Sequence, residues 1–310
     1  MNGTLSGSLK KALGPRAEAV MIAVDATESV DELMRRQLVY PPSMYHLGQA
    51  AVAALLVQSL GDAEDNERVD FQWKMEDGPF GNLVSESLAT AKYRASIAKT
   101  QTSEDTFGKS MGTGILQVRR SNAEGRQIAA GIVESRGHVA EDLSEYLERS
   151  EQKSCAVGLY VKVAWDESRG KEFPFKVERA VGYLVHILPS ANEAEHKMHV
   201  AMWDKHLKEL GPLSQWELPR EAEATTKTIF SFLTGHRENP ESYSSPVQIY
   251  CPCSESRIMK AVELLTRREK DWLIKGQDQQ DHVEVSCEFC GEIYEIAKDE
   301  FKKRRSPRMG

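Results

Sequence analysis

Five cysteines occur in this 310-residue chain, and four stand in two doublets near its end: Cys251-Pro252-Cys253 and, 33 residues later, Cys287-Glu288-Phe289-Cys290-Gly291. Four thiolates from two short-spaced pairs can close a tetrahedron around zinc, each pair supplying two sulfurs from one turn. The CxxCG half is a common zinc knuckle. The CxC half is rarer, because one intervening residue restricts how both sulfurs face the same ion, and the composite is more specific than either half. Such a site can also do redox chemistry. Peroxide carries thiolates to sulfenic acid, and a neighbouring thiol resolves that to a disulfide. Forming a disulfide within a doublet removes two ligands at once. Spacing alone leaves two readings open, a permanently reduced structural ribbon and a redox centre.

The elements needed to hold the doublets are short. Ile258, Val262 and Leu265 form a narrow helical stripe, Trp272-Leu273-Ile274 follows, and Val283 and Val285 read as a strand entering the knuckle. A module of this size buries little apolar surface, and a structural zinc can contribute ~10–16 kcal/mol of folding free energy, so its order is expected to depend on metal.

Upstream, Ala19 to Val24 is a six-residue apolar run read as a short buried strand, too short for a signal-peptide core or a membrane span. Ser29 and Glu32 have capping-box spacing ahead of a helix that Pro41-Pro42 ends. Leu47, Ala50, Ala51, Ala54, Leu55 and Leu56 recur at helical spacing, marking a core helix within Met44 to Leu60. Val69, Phe71, Trp73 and Met75 alternate with polar residues, predicting a half-buried strand whose aromatics belong to the core. Further strands are expected at Ile115 to Arg119, Gln127 to Val133, Cys155 to Trp165 and Val181 to Leu188, with a helix at AEDLSEYLERSEQ. The fold class is therefore α+β: an N-terminal mixed α/β-sheet domain, a helical linker and a small C-terminal zinc-binding domain. The expected divisions are a flexible N-terminal extension at 1–19, the core domain at 20–192, an amphipathic linker at 193–245, the zinc-binding switch at 246–300 and a basic tail at 301–310. Trp203, Leu207, Trp216, Ile229, Phe230 and Phe232 give the linker an apolar face that needs a partner surface, expected to be the α+β domain.

Other candidates are weaker. Cys155 shares a strand face with Val157, Leu159, Val161 and Val163 and reads as an inert thiol. His196, His199 and His206 lie on the linker helix without a matching ligand set and read as a solvated face, and His282 is at most a spare ligand. Gly108-Lys109-Ser110 mimics a phosphate loop, but Ser103 stands where its first glycine belongs, so the segment reads as a turn and no nucleotide is expected. Forty Lys and Arg against 47 Asp and Glu give a net charge of −7, which disfavours nucleic acid as a partner. No membrane is expected, and the cytoplasm is the default location.

The CPC…CEFCG signature, with TESVDELMRRQLVYPP, FQWKMEDGPFGNLV, GIVESRGHVAEDLSEYLERSEQ, CAVGLYVKV and VGYLVHILP in order, resembles the thirty-three-kilodalton heat-shock chaperone family across residues 20–298. That resemblance implies one zinc per reduced chain, held by Cys251, Cys253, Cys287 and Cys290. It implies disulfides Cys251–Cys253 and Cys287–Cys290 on oxidation, and a dimer that then holds unfolding proteins without ATP and without being an enzyme. The alternative is a constitutive zinc-ribbon module that binds RNA or a protein, and a CxxC thiol oxidoreductase ranks last. The chain departs from the family's pattern in a slightly longer gap between doublets, the N-terminal lead-in, and a tail carrying Lys302, Lys303, Arg304, Arg305 and Arg308.

Overall fold

The computed structural model describes residues 7–61, 67–88, 91–235, 242–277 and 281–303. It separates into two compact units, Met1–Tyr250 and Cys251–Gly310. The first contains two sheets. One has five antiparallel strands, β1 (Ser8–Leu13), β2 (Ala19–Asp25), β8 (Cys155–Trp165), β9 (Phe175–Ile187) and β10 (Tyr243–Pro246), in the order β10-β1-β2-β9-β8. The other has six, β3 (Arg68–Met75), β4 (Leu83–Leu88), β5 (Lys92–Ile97), β6 (Gly114–Ser121), β7 (Gln127–Ser135) and β11 (Gln248–Ile249), in the order β11-β5-β4-β3-β6-β7. Only β11 enters parallel, on β5.

Between the sheets lies helix α2 (Pro41–Gln58), buried on every side. Its sequence explains this: an alanine-rich helix whose apolar residues run round all its sides has no polar face to give to water. Gly48 lets it pass close to β8, since a Cβ there would stand 3.0 Å from Val161. Helices α1 (Thr27–Gln37) and α3 (Val139–Arg149) flank this core.

The run Ala19 to Val24 lacks alternation because β2 is covered on both faces. Ile22 and Val24 belong to the core around α2, while Ala19, Met21 and Ala23 belong to a second core. Strand β9 splits the same way, with Leu184 in the first and Val181, Tyr183, Val185 and Ile187 in the second. That second core is closed by α4 (Glu193–Leu210), a short 3-10 turn (Leu213–Gln215) and α5 (Ala222–Leu233). The amphipathic segment thus lies on the five-stranded sheet, through Trp203, Leu213, Trp216, Ile229, Phe230 and Leu233.

Several expectations need correction. Residues 8–13, read as part of a flexible extension, form β1; Leu9 and Ala12 are buried in different cores, and Lys10, also buried, reaches Glu223 of α5 at 3.7 Å. Residues 1–6 lie outside the described residues. The loop-like end of the linker contains β10, which pairs with β1, and residues up to Tyr250 belong to the first unit because β11 pairs with β5. Ser29 caps no helix: α1 begins at Thr27, Ser29 Oγ donates to Ala26 O at 3.0 Å, and Glu32 pairs with Arg35 and Arg36. Pro41 and Pro42 open α2 rather than merely ending the preceding helix. Of the basic tail, Lys302 and Lys303 fall in α8 (Lys298–Lys303), and Arg304, Arg305 and Arg308 lie outside the described residues.

Candidate metal centre

The second unit is small. Helices α6 (Glu255–Leu264) and α7 (Arg267–Gly276) and the hairpin β12 (His282–Ser286) and β13 (Ile293–Ala297) enclose a core of Met259, Val262, Ile274, Val283 and Ile296. Among the described residues this apolar core of five buried side chains is small for a module of its length.

Cys251 and Cys253 precede Ser254, which caps α6 by accepting from Arg257 N at 3.4 Å. Cys287 and Cys290 sit in the turn between β12 and β13. Cys287 N donates to Glu292 O and Gly291 N to Cys287 O, both at 2.8 Å. Gly291 has φ +72, the left-handed conformation that suits glycine at this close turn. A CxxC in a strand-to-strand turn is not at a helix N-terminus, which removes support from the oxidoreductase reading.

The four sulfurs lie within 4.8 Å of one another, with Cys251–Cys287 at 3.7 Å and Cys253–Cys290 at 3.4 Å. Zinc–sulfur bonds of ~2.3 Å in a tetrahedron require sulfur–sulfur edges of about 3.8 Å, so the donor set fits zinc. Cys287 and Cys290 are buried and the other two half-buried. Burial pushes the Cys251 and Cys290 thiols up, and their crowded neighbours add to it. Cys253 is held below the ordinary thiol range despite burial, through hydrogen bonds led by Tyr294, whose Oη donates to Cys253 Sγ at 3.1 Å. Tyr294 is a neighbour the sequence reading did not single out; only its place on β13 brings it to the sulfur.

The remaining candidates are elsewhere. Cys155 is half-buried on β8, where burial raises its thiol to about 12. His196 is not simply solvated: its ring meets Ser154 Oγ and Leu188 O at 3.2 Å. His206 Nε2 lies 3.1 Å from the carbonyls of Phe232 and Leu233, joining α4 to the end of α5. Spacing alone could not reveal these partners, which lie on other elements. His282 lies on β12 and is not in the four-sulfur group. Gly108-Lys109-Ser110 is in a turn region, with Gly108 at φ +70. Phe71 and Trp73 are fully buried. Trp203, Trp216, Ile229 and Phe230 are buried and Leu207 and Phe232 partly so, all in the linker–sheet core. Among the described residues, no helix is long and apolar enough to cross a membrane.

Comparison with known proteins agrees with this architecture. Residues 8–297 match the family model described as Hsp33 protein. A 33 kDa chaperonin of Thermus thermophilus is 27% identical over 308 residues, covering 96% of this chain and 86% of that protein. That of Aquifex aeolicus is 28% identical over 310 residues, covering 94% and 87%. The crystal structure of the 33 kDa chaperonin of Thermotoga maritima shares the fold with a TM-score of 0.77 at 21% identity, covering 96% of this chain and 97% of that one. With a family match over nearly its whole length, two sheets around a buried helix and a four-cysteine terminal unit, the chain belongs to the Hsp33 family of chaperones.

Proposed function

We propose that this chaperone is a redox-regulated holdase that needs no nucleotide, latent when reduced and active when Cys251, Cys253, Cys287 and Cys290 are oxidised. The observation that carries the reading is the convergence of the four sulfurs within 4.8 Å in a unit with only a small core. Bound there, zinc would keep the thiols deprotonated and contribute the cross-link the unit lacks.

A thiolate attacks one oxygen of hydrogen peroxide, forming a sulfur–oxygen bond and releasing hydroxide. The second thiolate of the doublet attacks that sulfur, forms the disulfide and expels a second hydroxide. Each disulfide, Cys251–Cys253 or Cys287–Cys290, consumes one peroxide and removes two of the four donors. The terminal unit then loses its main cross-link and unfolds.

The chain after α5 is stitched to the first unit by β10 on β1 and by the two-residue β11 on β5, and Cys251 follows almost at once. Strands this short hold weakly, so disorder beginning at Cys251 can spread back along them toward the linker. Lifting α4 and α5 would uncover Trp203, Trp216, Ile229 and Phe230 on one side and Met21, Tyr183, Val185 and Ile187 on the other. Each large apolar side chain so exposed offers roughly 1.5–3 kcal/mol to a partner that covers it. An unfolding protein is that partner, a second copy of the oxidised chain is another, and the work is binding rather than catalysis, in the cytoplasm.

Zinc content and suppression of client aggregation, measured before and after peroxide at a mildly unfolding temperature, test the proposal. One zinc per chain that is lost on oxidation as holding activity appears is expected. Zinc loss without gained holding would favour the constitutive ribbon, and a metal-free reduced protein with an ordered terminal unit would overturn both.

A further inference from the structure

Outside the four sulfurs, a second set of donor atoms converges on the hairpin. Strands β12 and β13 pair with His282 opposite Ala297 and Glu284 opposite Glu295. Because strand side chains alternate, His282, Glu284 and Glu295 share the face opposite Val283 and Ile296, which are turned into the small core. One ring nitrogen of His282 and one oxygen from each glutamate lie within 4.8 Å of one another.

Two features mark this group as more than a chance meeting of polar side chains. Glu284 and Glu295 are directly opposed across the ladder. Directly opposite positions bring the two carboxylates close enough to face one cation together. The His282 ring is also oriented as a ligand would be. Its Nδ1 lies 3.0 Å from Asp281 Oδ1, an arrangement in which Nδ1 carries the proton and Nε2 presents its lone pair. That Nε2 is buried and has no hydrogen-bond partner among the described residues, with Glu284 Oε1 3.7 Å away.

We infer that the outer face of the β12–β13 hairpin is a second divalent-metal site, separate from the four-cysteine centre, in which His282, Glu284 and Glu295 are ligands and Asp281 orients His282. One imidazole and two carboxylates, with water completing the shell on the exposed side, suit zinc or manganese. An ion there ties the two strands together five residues before Cys287 and five after Cys290, whatever the oxidation state of the sulfurs.

Manganese is the discriminating probe, because it favours oxygen and imidazole over thiolate. Added to the reduced full-length protein and followed by the loss of the free-ion paramagnetic resonance signal, it should bind one equivalent per chain. Protein already carrying zinc should take up one further equivalent of zinc in a calorimetric titration. Glu295→Gln, a nearly isosteric change at an exposed position, and His282→Gln should each weaken manganese binding at least tenfold. Asp281→Asn should weaken it roughly 10-fold or more, as loss of an orienting carboxylate does elsewhere. Zinc retained by the cysteines should be unchanged in all three, so failure here is separable from failure of the thiol centre. Absence of manganese binding would mean that His282 merely sits as an imidazolium among carboxylates, and would overturn the site. Binding unaffected by both Glu295→Gln and His282→Gln would overturn it equally.

Discussion

The indole of Trp216 lies flat on the ring of Tyr183, with centroids 5.4 Å apart and planes 6° from parallel. Tyr183 belongs to β9 and Trp216 to the segment between α4 and α5, so this stack joins the amphipathic segment to the five-stranded sheet. Phe232 of α5 packs against the same indole at 5.0 Å, and Trp216 Nε1 donates to Leu210 O and Gly211 O at 3.2 Å. One side chain thereby pins two helices to the sheet.

Replacing Trp216 with Ala should loosen this attachment without touching the cysteines. Truncating a buried Trp costs about 3–5 kcal/mol, a large part of what holds a surface segment in place. The reduced variant should bind a hydrophobic dye, yield to protease within residues 200–233, and suppress client aggregation without peroxide. An unchanged protease pattern together with no reduced-state activity would show that the stack is not what keeps the segment closed.

Cys287→Ser tests the terminal unit. Cys287 contributes a buried sulfur, and its backbone closes the knuckle turn with Glu292 and Gly291. Three thiolates cannot complete a closed structural site, so zinc content should fall well below one per chain and the unit should be partly unfolded in reductant. Full zinc content and a wild-type protease pattern would contradict the assignment.

How far these sites were legible in the sequence depended on how local their causes are. The alternation of Val69, Phe71 and Trp73 announced β3, and Cys155 to Trp165 announced β8, because burial of one face writes a period of two into the chain. Strand β1 was hidden behind Lys10 and Lys11 in a Gly- and Ser-containing lead-in; what buries Lys10 is β1's place in the sheet and Glu223 on α5, more than two hundred residues away. Strands β4 and β5 escaped notice because Ser85, Glu86 and Ser87 are polar yet buried, with Glu86 held by Arg68 and Arg94. The four cysteines were legible from type and spacing. Tyr294 and the His282, Glu284 and Glu295 group were not, since the register of β12 on β13 decides what meets what.

Tyr294→Phe isolates the hydrogen bond to Cys253 while leaving the ring in place. The Oη to Sγ contact of 3.1 Å is the kind of outer interaction that steadies a ligand and tempers its reactivity. Zinc should transfer to a chelator roughly 10-fold more readily, and disulfides should form faster at a given peroxide concentration, with the reduced fold retained. Transfer and oxidation rates equal to wild type would mean that the phenol contributes only packing.

The first unit carries its own pH dependence through His46 on α2. Its ring packs 4.4 Å from Phe80 and is 1% exposed. Burial, with a smaller contribution from His138, depresses its pKa to about 4, below the ordinary 6.5. The folded state therefore disfavours the proton that the unfolded state accepts. The stabilisation is fully present above pH 6.5 and is lost as pH falls from there toward 4, amounting to about 3 kcal/mol across the window. Denaturant unfolding followed by the fluorescence of the buried tryptophans should show this decline in the wild type, and His46→Leu, an apolar substitution, should flatten it. A slope between pH 6.5 and 4 that survives the substitution would assign the acid sensitivity to other groups, with His186, whose ring burial also holds below the ordinary imidazole range, being the next to examine.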